Sequence, residues 1–264
     1  YAQRPAYDIV AQAMGGLMGI TGMPDGPPIR AGYSIGDLAA AVFAAVGILA
    51  ALFERERSGA GQRLDLSMLD AQVALCENAI ARYSATGETP RPLGSRHPLA
   101  CPFQAFPTRD GSLVLAIARE EEWARFCREL DLADLASDPR FQTREDRFRN
   151  HSALEPRLND LFRTRTTAEW MEVLTAVGIP CAPVQGIDEV VSDPQVRHRE
   201  MIVERPQEGI GPHLFVNSPI RLDRTPGRVE GGAPALGEHT EAVLGDLLGM
   251  KAEEIESLRE RGVL

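Results

Sequence analysis

The chain has 264 residues, 44% of them apolar and 25% charged, which excludes disorder, collagen-like repeats and coiled-coil rods. Acidic residues outnumber basic ones by 38 to 28, and the basic residues are scattered, so neither nucleic acid nor an anionic membrane finds its electrostatic footprint. Among the basic residues only Lys251 is lysine, a bias read as arginine-codon usage in a high-GC bacterial genome.

Residues 8–20 carry small and apolar side chains at mixed spacing, and Gly22 to Pro28 then forms a loop rich in Gly and Pro. A helix is predicted from Asp37 to about Arg57, with Gly36 or Asp37 as its cap and Ser58-Gly59 as its stop. Its middle is apolar on every face, which calls for cover on all sides, at the centre of a domain. The uncharged run Leu38–Phe53 falls short of the ~20 residues that a bilayer-spanning helix needs, so a core helix is expected.

Strict alternation over Arg63–Ser67 predicts a short strand, and Leu69–Thr86 a helix. The Pro- and Gly-rich stretch Thr89–Pro98 marks a domain boundary. Beyond it a hairpin is predicted from Phe103–Pro107 and Ser112–Ala118, followed by helices at 120–130 and 145–163. Thr166-Thr-Ala-Glu169 is a capping box opening a helix that Gly178 closes. Ile179–Val184 reads as strand, Asp188–His198 as broken helix, and the regions around Ile202 and Leu214–Leu222 as strands. Helices near 239–248 and 251–261 end the chain. The predicted domains are 1–90, 91–195 and 196–264, the last returning to the first.

Cys76, Cys101, Cys127 and Cys181 form no C-x-x-C pair and are expected as reduced thiols in a cytosolic protein. No histidine pair has metal-ligand spacing, so no metal is implied. Trp123 and Trp170 read as core residues, and Glu238 and His239 as structural parts of a turn. Gly32-Tyr-Ser34-Ile-Gly36 has the G-x-S-x-G order of a hydrolase nucleophile elbow, but the prolines in residues 23–31 bar the strand that an elbow requires. Ser34, with His239 downstream, stays an alternative nucleophile. Asp37 is the other: a carboxylate in the first turn of a long helix faces unpaired N–H groups, which stabilise negative charge and would stabilise an oxyanion formed beside it.

The run Ser34-Ile-Gly-Asp37-Leu-Ala to Gly61-Gln62-Arg-Leu-Asp-Leu-Ser-Met-Leu-Asp70 resembles the central signature of the class III CoA-transferases. Further blocks match in order: Tyr7-Asp8-Ile-Val-Ala-Gln12, Gly94-Ser-Arg-His-Pro98, Phe103 to Gly111, Gly178 to Val184, Asp193-Pro-Gln-Val196 and Leu236-Gly-Glu-His-Thr240. The resemblance implies an α/β fold, with a Rossmann-like large domain whose front portion is missing from this chain and a smaller α+β domain. It also implies interlocked homodimers when full length. By carry-over Asp37 is the catalytic nucleophile, and Tyr7, Asp8, Arg96 and His97 bind substrate. CoA enters as a thioester substrate, without a permanently bound cofactor, and a small carboxylic acid is the partner. The racemases of the same family carry His where this chain has Tyr7, so 2-methylacyl-CoA racemization is the alternative within the fold. A non-catalytic acyl-CoA-binding module is a further one. Gly94-Ser-Arg-His lacks the glycine run of formyl-CoA transferases, which argues against oxalate and toward succinyl-CoA and related dicarboxylic or branched acids.

Overall fold

The computed structural model describes Tyr1 and residues 3–264, which form two compact units, Tyr1–Val184 and Gln185–Leu264. The first unit opens with helices α1 (Asp8–Met14) and α2 (Leu17–Ile20), followed by the long α3 (Ile35–Ser58), α4 (Met68–Leu75) and α5 (Glu77–Thr86). Helix α3 packs against α1 and α4. Arg55 and Arg57 stand in its last turn, complementing the dipole, and Gly59 at φ +73° ends it in the left-handed region open to glycine.

The predicted strand at Arg63–Ser67 is not formed. The segment has no regular structure, and Leu64 lies so close to Gly47 of α3 that a Cβ there would meet Leu64 Cδ1 at 2.9 Å. Alternation is present, but no neighbouring strand among the described residues supplies ladder partners. Ser67 instead caps α4, its Oγ accepting from Asp70 N–H at 3.0 Å. The predicted helix Leu69–Thr86 breaks at Cys76 into α4 and α5.

The core of this unit lies in residues 101–179, around β1 (Phe103–Pro107), β2 (Ser112–Ala116) and β3 (Cys181–Pro183), an antiparallel sheet in the order β1-β2-β3. The hairpin register pairs Phe103 with Ala116 and Pro107 with Ser112, and alternate residues of both strands are buried. Against them pack α6 (Glu120–Glu129), α7 (Ala133–Ser137), α9 (His151–Phe162) and α10 (Thr167–Ala176), while α8 (Arg144–Arg149) reaches this core through the buried Arg147. The predicted helix 145–163 is broken at Asn150. Trp123 and Trp170 lie in the core as read, Trp170 Nε1 donating to Phe162 O at 2.7 Å. The Thr166/Glu169 capping box forms as predicted.

Arg147 is the buried cation of this core. Its Nε donates to Cys101 O and Nη1 to Phe141 O, and the guanidinium pairs with Glu120 at 2.9 Å, joining three chain segments. All four cysteines are free thiols; burial pushes Cys101 up to about 11 and Cys127 up to about 12.

The second unit holds α11 (Ile187–Val190), α12 (Pro194–His198), the hairpin β4 (Ile202–Gln207) and β5 (Gly211–Val216), α13 (Thr240–Ala242), which Val243–Leu247 continues as a π turn, and α14 (Ala252–Glu260). Every strand pairing among the described residues is antiparallel.

Helix α3 departs most from expectation. Among its residues only Gly36 is buried, while Leu38, Val42, Phe43, Val46, Leu49 and Phe53 are 42–68% exposed. The described residues thus cover one side of it. By length and composition alone this 24-residue helix, with a mean hydropathy of 2.2 over its most apolar window, is long enough to cross a membrane.

Candidate functional site

The sequence places Asp8 and Gln12 four residues apart on α1, hence on one helical face, and that face is turned toward the start of α3. Gly36 permits the approach: a Cβ there would meet Asp8 Oδ1 at 3.1 Å and the Ala11 Cβ at 3.4 Å. Asp8 Oδ1 accepts from Gly36 N–H at 2.8 Å, so α3 is capped by a carboxylate 28 residues upstream. The formal cap residue is Ser34, not Gly36 or Asp37 as predicted, and its hydroxyl makes no capping bond. Between α2 and Ser34, residues 21–33 form turns and loop with no strand, the element a nucleophile elbow needs.

Gln12 is fully buried and works at both ends of its amide. Nε2 donates to Asp8 Oδ2 at 2.8 Å and to Tyr33 O at 3.4 Å, and Oε1 accepts from Ala31 N–H at 2.9 Å. Arg30 adds a contact to Asp8 Oδ2 at 3.5 Å. Residues 30, 31, 33 and 36 are thereby fastened to α1, which fixes the turn that delivers Asp37. Burial alone would raise the Asp8 carboxyl; the Gly36 N–H, the Gln12 amide and the Arg30 guanidinium outweigh it and hold the group below the usual range.

Asp37 itself is exposed in the first turn of α3, next to this capped corner. Tyr7, the cap residue of α1, is 81% exposed, whereas its neighbour Asp8 is buried. The Asp8–Gly36 bond therefore brings Tyr7 and Asp37 to one corner, each a single residue from the bonded pair. Arg96 and His97 lie half-buried on another loop, which is docked through Gly94 N–H to Gly22 O at 2.8 Å. No hydrogen bond or ion pair joins them to Asp37 among the described residues. Glu238 closes a turn by accepting from Ala235 N–H at 2.7 Å, and His239 stands at the cap of α13.

Gln12 has no role predictable from the family blocks; its one signal in the sequence is a polar side chain one helical turn from Asp8. Gln12→Ala strands Ala31 N–H and leaves Asp8 Oδ2 with only the long Arg30 contact, and a loss of ~1–3 kcal/mol is expected in urea unfolding. The pH dependence has a definite sign. A carboxyl lowered on folding contributes stability above its unfolded value near ~3.9, lost as pH falls through the folded value. In Gln12→Ala, which removes one donor holding Asp8 low, the folded value moves toward the unfolded one, so the acid-limb loss is expected to be smaller and complete at a higher pH.

Comparison with known proteins agrees with this architecture. The description CoA-transferase family III matches residues 1–240. Succinyl-CoA:mesaconate CoA-transferase of Haloarcula hispanica is 36% identical over 256 residues, covering 96% of this chain and 64% of that protein. Acetyl-CoA:oxalate CoA-transferase of Acetobacter aceti is 35% identical over 244 residues, 92% of this chain and 61% of that protein. The crystal structure of a CAIB/BAIF family protein from Brucella suis superposes with a TM-score of 0.80 at 29% identity, over 94% of this chain and 64% of that one. The chain spans about three-fifths of the length of these relatives. With a family match over nine-tenths of its residues and a shared fold, the chain belongs to CoA-transferase family III.

Proposed function

We propose that the protein moves CoA from an acyl-CoA thioester to a carboxylic acid, with Asp37 as nucleophile. The observation that carries this reading is the exposed Asp37 carboxylate in the first turn of a 24-residue helix, beside a corner that Asp8 and Gln12 hold in place. A carboxylate oxygen attacks the thioester carbonyl, and CoA thiolate departs to leave a mixed anhydride. The thiolate then attacks the aspartyl carbonyl, releasing the first acid as carboxylate and forming an aspartyl-CoA thioester. The second acid reopens that thioester as a new anhydride, and returning thiolate takes its acyl group and frees Asp37. A carboxylate suits this sequence because it both attacks and leaves, and the anhydride keeps the acyl group activated. Water must be excluded throughout.

Tyr7 is proposed as a substrate-facing hydroxyl donor, and Arg96 and His97 as contacts to the acid. CoA is the only cofactor-like molecule required, and it is a substrate. The names of the relatives point to short dicarboxylic acids, oxalate among them, which weakens the argument against oxalate drawn from the Gly94 loop. The same reading proposes a cytoplasmic bacterial protein that forms interlocked homodimers, with a Rossmann-like large domain, and the divisions near residues 90 and 195.

The test is exchange of CoA between succinyl-CoA and a panel of free acids in deuterated water, read by mass spectrometry. New acyl-CoA without deuterium at the α-carbon is expected, because a phenol at Tyr7 is a poor base at neutral pH. Rapid α-deuteration without transfer would assign the protein to racemization instead.

A further inference from the structure

Three chain segments bring four basic side chains to one cavity of about 230 Å³: Arg96 and His97 from the loop before β1, Arg149 at the end of α8, and His151 at the start of α9. Leu93, Ala100, Cys101 and Phe148 supply an apolar wall. We propose that this cavity is a receptor for a small oxyanion on a short organic body, with Arg149 and His151 as ligand contacts beyond Arg96 and His97.

The site is braced before any ligand arrives. Arg96 Nε donates to Leu93 O at 3.2 Å, which anchors the inner edge of the guanidinium and leaves its two terminal nitrogens for an oxyanion. His97 Nδ1 accepts from Leu99 N–H at 3.1 Å, so the ring proton sits on Nε2, and the ring packs on Phe103 with centroids 4.8 Å apart. His151 Nδ1 donates to Phe148 O at 3.1 Å. The loop is fastened to β1 at two points, Ser95 Oγ accepting from Ala105 N–H and His97 N–H donating to Phe103 O. Cys101 in the apolar wall is held by Arg147, whose Nε donates to Cys101 O at 2.9 Å.

The charge balance of the cavity runs against that of the chain. The protein carries a formal net charge of −10, yet neither Arg96 nor Arg149 forms an ion pair among the described residues. Glu145, one turn before Arg149 on α8, is bonded to Arg144, and the Arg149 charge also helps hold its carboxyl below the usual range. An acid, Glu155, lines the adjoining cavity together with Arg96 and His151, leaving the cluster with net positive charge from its two arginines. Two guanidinium groups that form no ion pair, around an apolar-walled cavity with one acid beside it, form a site for a carboxylate or a phosphate.

The proposal rests on the CoA-transfer reading only for the source of that anion: the acid being exchanged, or a phosphate of CoA. The experiment titrates the purified protein, without CoA, with succinate and separately with 3′,5′-ADP, following the imidazole resonances of His97 and His151 by NMR. Saturable binding that shifts both rings is expected, with affinity reduced at least tenfold in Arg149→Gln, partly restored in Arg149→Lys and unchanged in Arg224→Gln, an exposed arginine of the other unit. Tighter binding of succinate assigns the cavity to the acid, and tighter binding of 3′,5′-ADP assigns it to CoA. Absence of saturable binding by either, or equal weakening in Arg149→Gln and Arg224→Gln, overturns the site. Binding without CoA exchange removes the proposed activity and leaves the cavity standing; exchange without binding does the reverse.

Discussion

Replacing Asp37 with alanine is expected to lower CoA exchange by a factor on the order of 10⁴–10⁶, the range seen when a covalent nucleophile is removed. The reason is positional: Asp37 lies in the exposed first turn of α3, where the helix dipole favours negative charge and where the preceding turn is tied to α1 by Asp8 and Gln12. Ser34→Ala is expected to retain most activity, because the Ser34 hydroxyl makes no capping bond and no strand leads into it. Trapping separates the two nucleophiles directly. Protein incubated with its acyl-CoA and then hydroxylamine should carry a hydroxamate at Asp37, detected by peptide mass spectrometry, since both the anhydride and the aspartyl-CoA thioester are opened by that reagent. Labelling of Ser34 by a fluorophosphonate, with loss of activity, would replace transfer by hydrolysis. The Gln12→Ala variant refines the same argument: it keeps the Asp37 carboxylate and loosens only the turn that presents it.

Local signals were legible where the hydrogen bonds that fix an element are local. The hairpin at 103–116 and the Thr166/Glu169 capping box formed as read, because turn residues and caps lie within a few positions of what they satisfy. Alternation at Arg63–Ser67 failed as a strand signal, since it reports which residues share a face and not whether a second strand exists to pair with them. The breaks at Cys76 and Asn150 fall inside runs whose helical period continues across them, so periodicity carries no signal for either. At the site, the cap of α3 comes from Asp8, far upstream in the chain, and the role of Gln12 depends on backbone groups at Ala31 and Tyr33. Asp37 stood out as a nucleophile only through family resemblance; position alone described an ordinary helix cap.

The exposed face of α3 carries the other large expectation. Eight large apolar side chains, Leu38, Val42, Phe43, Val46, Ile48, Leu49, Leu52 and Phe53, are each 40–68% exposed. Full burial of such a side chain is worth ~1.5–3 kcal/mol, so closing the remaining half of eight amounts to on the order of 10 kcal/mol, comparable to the whole stability of a domain. A face of that strength does not stay in water when any cover is available. The purified 264-residue chain is therefore expected to bind a hydrophobic dye strongly and to self-associate in a concentration-dependent way. The double variant Val46→Glu, Leu49→Arg should suppress both while leaving the core of residues 101–179 folded, because neither residue belongs to that core. A dye-silent, monodisperse wild-type chain would show the face closed by the chain itself. The nature of the cover is separable as well. The uncharged stretch Leu38–Phe53 rises about 24 Å at 1.5 Å per residue, against a hydrocarbon core of ~30 Å, with Asp37 at one end and Glu54-Arg-Glu-Arg57 at the other. That length suits a protein surface better than a bilayer, so the chain should stay behind when lipid vesicles are floated away from it, and α3 should gain protease protection from association with further protein and not from vesicles.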